Sequence, residues 1–85
     1  MEDVKIGIVA KFFAQPGVAA IDLTDGPLKI GDMIHIKGHS TDLQMTVDSM
    51  QIEHAAVTTA DMGASIGIKV KDRVRPHDLV YLIKQ

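Results

Sequence analysis

The sequence has no cysteine, no tryptophan and only three aromatic residues, Phe12, Phe13 and Tyr81. Without cysteine there can be no disulfide framework, thiolate zinc site or cysteine nucleophile, and nothing suggests secretion. Three aromatics are too few for a platform on which nucleic-acid bases could stack. An excess of basic residues is also missing: nine Lys and Arg face eleven Asp and Glu, for a formal net charge of −2. Proteins that depend on phosphate contacts are usually strongly basic, because each neutralised phosphate releases counterions. The balance therefore argues against tight, non-specific nucleic-acid binding and leaves room for a small local contact. No stretch approaches the roughly 20 apolar residues of a membrane span. The opening "MEDVKIGIVAKFF" carries acids where a signal peptide needs positive charge, and Lys5 and Lys11 interrupt its apolar run. These absences lead to the expectation of a cytoplasmic protein without membrane contact.

Hydrophobic residues make up 46% of the 85-residue chain, enough for one packed interior over residues 1–85 and too short for two. Their dominant period is two. "VKIGIVA" alternates Val4, Ile6, Ile8 and Ala10 against Lys5 and Gly7, and "GVAAIDL" sets Ala19, Ile21 and Leu23 opposite Asp22. "MIHIKG" alternates Ile34 and Ile36 against His35 and Lys37, while "SIGIKVKD" alternates Ile66, Ile68 and Val70 against Gly67, Lys69 and Lys71. Each reads as a strand with one wet face. "LQMTVDSMQIEH" begins with Leu43, Met45 and Val47 and then changes phase to Met50 and Ile52, the mark of a bulge or a corner. The final "DLVYLIK" is apolar on both faces. Turn residues recur about every 8–14 positions, which suits a sandwich or barrel, and no segment has a convincing helical pattern. The expected fold is all-β, a small closed barrel of six or seven strands, since closure hides strand edges.

Two strands share an opening. "KIGDMIHI" and "RPHDLVYL" each place an Asp, Asp32 or Asp78, directly before an alternating run. Gly31 can supply the positive φ of a tight turn, and each Asp can bond a nearby backbone amide. Gly63 and Gly67 are read as further structural turn residues.

These phrases resemble the β-barrel second domain of translational GTPases of the elongation factor Tu type. In that domain an apolar-Lys-Val-Gly-Asp phrase opens a strand, as "LKIGDMIHIKG" does here. "ADMGASIGIKV" is similar to its Ala-Gly turn and following strand, and "RPHDLVYLI" to its closing strand, usually opened by Arg-Gly-Asp. "FFAQPGVAAIDLTDGPLKIGD" is most similar to short stand-alone elongation-factor-like proteins and to barrels appended to collagenase-like peptidases. The resemblance implies a Greek-key barrel. It also implies a non-catalytic binding module of translation whose partner is tRNA, the ribosome or a translation protein. No G-x-x-x-x-G-K-[ST] phosphate loop is present, so neither GTPase activity nor a nucleotide cofactor is expected. The alternative is a protein-interaction accessory domain unrelated to RNA, serving a peptidase or another enzyme.

By the same resemblance, the pocket that receives a tRNA end in the family falls at Ala20, His54 and Ser65. The plainer alternative is that His54 caps a strand and Ser65 satisfies turn amides. Lys69, Lys71, Arg73 and Arg75 alternate along a strand and its exit, a candidate phosphate-contacting edge or a solvated face. Phe12 and Phe13 are adjacent, so a continuous strand sends one ring outward, and with Pro16 they form a candidate protein-contact surface. Met33, Met45, Met50 and Met62 read mainly as core filler. His35, His39, His54 and His77 lack the spacing of a metal site and are read as separate and solvated. "GHSTD" contains His39, Ser40 and Asp42, but neighbours on one loop cannot form a nucleophile–base–orienter array. No catalytic residue, metal or cofactor is expected.

Overall fold

The computed structural model describes residues 2–84, and every regular element in it is a strand. In chain order these are β1 (Glu2–Phe13), β2 (Val18–Leu23), β3 (Leu28–Lys29), β4 (Met33–Lys37) and β5 (Asp42–Thr46). β6 (Met50–Ile52), β7 (Ala55–Ala56), β8 (Thr59–Ala60), β9 (Ser65–Lys69) and β10 (Leu79–Lys84) follow. Eight strands form one antiparallel sheet in the order β5-β4-β10-β1-β2-β9-β6-β7, and β3 pairs with β8 in a separate two-stranded ribbon.

The alternating runs at β2, β4 and β9 bury the residues that their period selects. Ala19, Ile21, Leu23, Ile34, Ile36, Ile66 and Ile68 are all sealed from solvent in one core. The ribbon adds Leu28 and Ala60 to that core, and Met45 and Met50 also lie within it, whereas Met62 is exposed. β10 runs between β1 and β4, with Val80 and Ile83 buried and Leu82 packed against the core.

β1 departs from simple alternation. Its register shifts between Lys5 and Gly7 against β10, and again between Val9 and Lys11 against β2. Each irregularity advances the side-chain phase by one residue. Ile6, Val9 and Phe12 therefore face the core, and Ala10 is exposed. Of the expected inward set of Val4, Ile6, Ile8 and Ala10, Ile6 is buried, Val4 and Ile8 are half-buried and Ala10 is exposed.

The phase change after Val47 is a corner. β5 forms one edge of the sheet, β6 lies next to the other, and only residues 47–49 separate them. Four Cα steps span about 15 Å at most, so the sheet must curl until its ends approach. It does not close: β5 and β7 are unpaired edges with no ladder between them. The corner is tied instead to the turn before β4, with Val47 N–H donating to the Asp32 carbonyl (2.8 Å) and Gly31 N–H to the Val47 carbonyl (2.9 Å). The expected closed Greek-key barrel thus becomes a strongly curled open sheet capped by a ribbon.

The two similar openings are one turn used twice. The backbone N–H of Lys29 donates to Asp32 Oδ2 (3.0 Å), and that of Arg75 donates to Asp78 Oδ2 (2.8 Å). In return the Asp32 and Asp78 amides each donate to the carbonyl three residues back, at 3.1 Å in both cases. The residue before each Asp is left-handed: Gly31 has φ 96° and His77 φ 76°. Asp78 is buried, and its carboxylate lies against Gly38, where a methyl group would collide with Oδ1.

Two outcomes follow for urea unfolding. Gly38→Ala should lose about 2–3 kcal/mol, the upper range for forced overpacking. His77→Gly should gain about 1 kcal/mol by relieving a side chain in the left-handed region.

Candidate functional site

The outer face of the sheet carries small side chains where β2 meets β9. Register pairs Ala20 with Gly67, Asp22 with Ser65 and Val18 with Lys69. The Ala20 row continues to Gln51 on β6 and to Lys11 on β1. Cross-strand partners share a face, so small residues at Ala20 and Gly67 leave a trough between taller neighbours. Two hairpin tips raise its sides. Phe13, Gln15 and Pro16 come from the β1–β2 connection, and Gln51, Glu53 and His54 from the β6–β7 hairpin. The result is a cleft of about 430 Å³ with a largely apolar surface.

Ala20, His54 and Ser65, distant in the sequence, all line this one cleft, together with Phe13 and Pro16. Two groups of candidate residues therefore converge on one place. Phe12 does not join them: its ring packs against the core, while Phe13 is 44% exposed. Lys11 Nζ lies 5.2 Å from the centroid of the Phe13 ring, in cation–π range. Gly67 sits in the middle of β9 as part of the trough floor and is not a turn residue. Gly63, in contrast, does occupy a turn with φ 95°.

Of the four basic candidates, Lys69, Lys71, Arg73 and Arg75, only Lys69 lies on a strand. Lys71, Arg73 and Arg75 follow on the connection to β10, so the expected shared strand face does not exist. All four are exposed, and none lines the cleft. Lys69 borders it at the Val18 end.

The turn between β6 and β7 has two residues, Glu53 with φ 50° and His54 with φ 65°. A two-residue hairpin with both residues left-handed is the type I′ geometry, which ordinarily selects Asn-Gly. Side chains other than Gly or Asn here cost on the order of 1 kcal/mol each. Sequence reading reached His54 through resemblance but missed Glu53, Gln15 and Gln51 as walls. The available signal was the pair of residues separating two short apolar runs.

Ser65 Oγ donates to Asp22 Oδ1 at 2.8 Å. With His54 nearby, the residue types of a hydrolase are assembled in the wrong connection. The hydroxyl proton is given to a carboxylate, whereas nucleophile activation needs an imidazole between Ser and Asp. Among the described residues, no group of three His, Asp or Glu is placed to hold a metal ion.

His35 corrects another expectation. It is not solvated but 8% exposed, on the outer face of β4. Its Nε2 bonds the Asp42 carboxylate, and Nδ1 faces Asp3 Oδ2 at 3.5 Å without a hydrogen bond. Two carboxylates, one from the adjacent β5 and one from β1 beyond β10, have closed over it.

No protein-family model matches the chain. Over 83 residues, 96% of its length, the chain is 42% identical to an uncharacterized protease of Methanocaldococcus jannaschii. Over 81 residues it is 36% identical to a collagenase of Porphyromonas gingivalis. The chain spans about a fifth of the length of these curated relatives, 20% of each. Two solved structures of the C-terminal domain of a Geobacillus thermoleovorans protein described as a U32 peptidase share its fold. One matches with a TM-score of 0.86 over 96% of this chain and 93% of that one, at 15% identity. The other matches with a TM-score of 0.83 over 89% and 95%, at 16% identity.

These likenesses overturn the reading of a translation module. Nearly the whole chain matches part of proteins named as proteases and collagenases, so the elongation-factor resemblance is unsupported. The phrases behind that resemblance, Gly-Asp and Ala-Gly turns ahead of strands, express the turn chemistry of small β-folds.

Neighbouring alanines test the assignment of faces. Ala19→Leu should cost about 1–3 kcal/mol because Ala19 is wholly buried. Ala20→Leu, facing the trough, should change stability by no more than about 0.5 kcal/mol in the same urea titration while shrinking the cleft.

Proposed function

We propose that the chain is a non-catalytic accessory domain of collagenase-like peptidases, which holds polypeptide in its outer-face cleft for a peptidase body to cleave. The observation that carries this reading is the match of nearly all of the chain to one fifth of proteins named protease or collagenase. A module of that size alongside a much larger remainder suits a docking role. The cleft supports it, since apolar floors flanked by amide side chains suit an extended backbone. The Ser65–Asp22 connection supports the absence of a reaction, because it leaves no activated nucleophile.

Docking energy from contacts remote from the cleaved bond accelerates cleavage of long substrates far more than of short ones. The test removes the matching 83 residues from the Methanocaldococcus protease and measures cleavage of gelatin and of short fluorogenic peptides. Gelatin cleavage should fall about tenfold with the short peptides little affected. Grafting the present chain into the gap should restore gelatin cleavage, and the chain alone should cleave neither. Hydrolysis by the isolated chain, or unchanged gelatin cleavage after the deletion, would overturn the proposal.

A further inference from the structure

The ends of the cleft differ in charge. At one end, Phe13, Val18 and Lys69 form a row across β1, β2 and β9, with Lys11 over the Phe13 ring. At the other end, Ser65 is paired with Asp22, and the Glu53–His54 turn stands beside them. Glu53 is the only acid among the lining residues. Neither Glu53 nor His54 makes a side-chain hydrogen bond or ion pair among the described residues, and both are exposed. The turn thus holds two bulky side chains in a backbone form that favours Asn-Gly, and those side chains do nothing for the fold. Strain of this kind collects where a side chain is needed for something else.

We propose that the cleft binds an extended peptide bearing a Lys or Arg side chain, which Glu53 receives at the acidic end. An adjacent apolar side chain lies on the Ala20–Gly67 floor against Phe13. This rests on the polypeptide-docking reading and adds its specificity. Lys11 and Lys69 repel a cation from the other end, so the cleft fixes where the peptide's positive charge must lie. The Gln15 and Gln51 amides, each both donor and acceptor, can pair with the peptide backbone without reading its sequence.

The experiment follows ¹H–¹⁵N spectra of the purified chain during titration with short synthetic peptides of Ala, Val and Gly. These carry Lys, Met or Glu at their centre. At low salt, the Lys peptide should bind about three- to fivefold more tightly than the Met peptide, the range an exposed ion pair supports, and the Glu peptide more weakly still. High salt should erase the difference. Glu53→Gln should bring the Lys peptide to the affinity of the Met peptide. The double variant Glu53→Asn with His54→Gly should unfold at higher urea and lose the Lys preference. Equal affinities for the Lys, Met and Glu peptides, or a preference that survives Glu53→Gln, would sink the cation assignment and leave the docking reading standing. A double variant no more stable than the parent would refute the strained turn. If no peptide moves the amides of the cleft, the docking reading fails as well.

Discussion

The structure depends on one long strand that serves two neighbours in succession, β10 from Glu2 to Ile8 and β2 from Gly7 to Phe13. β1 is hydrogen-bonded to β10 on one side and to β2 on the other, and the sheet must curl around it tightly enough to enclose a core. A regular strand of twelve residues resists that curvature. The two register shifts relieve it by turning the strand twice, and they aim Ile6, Val9 and Phe12 into the same interior. Because Phe12 is taken inward, Phe13 is left on the rim. The wall of the cleft is thus a by-product of how the core is filled.

Straight strands were legible in the sequence and bent ones were not. β2, β4 and β9 pair regularly, so period two selected their buried residues directly. In β1 each irregularity consumes one residue of phase, which composition does not mark, and Ile8 and Ala10 were misplaced as a result. His35 was misread for a different reason. Alternation put it on the polar face, but that face is covered by Asp3 and Asp42, which come from other strands. A wet face in the pattern of one strand can be a dry one in the sheet.

The cleft was half legible. Ala20, His54 and Ser65 meet because β2, β9 and β6 are successive strands of one sheet. Chemistry belongs to the particular side chains present rather than to the fold. The amide-bearing walls, Gln15 and Gln51, had no pattern to reveal them. They matter only through their placement beside a floor of small residues.

β5 is one of the two edge strands, and its first residue is Asp42, bound to His35 on the strand within. A bare β-edge invites pairing by any passing extended chain, and charge placed along it discourages this. The carboxylate closing over His35 therefore also acts as a sentry. It makes the β5 edge a poorer template for a foreign strand.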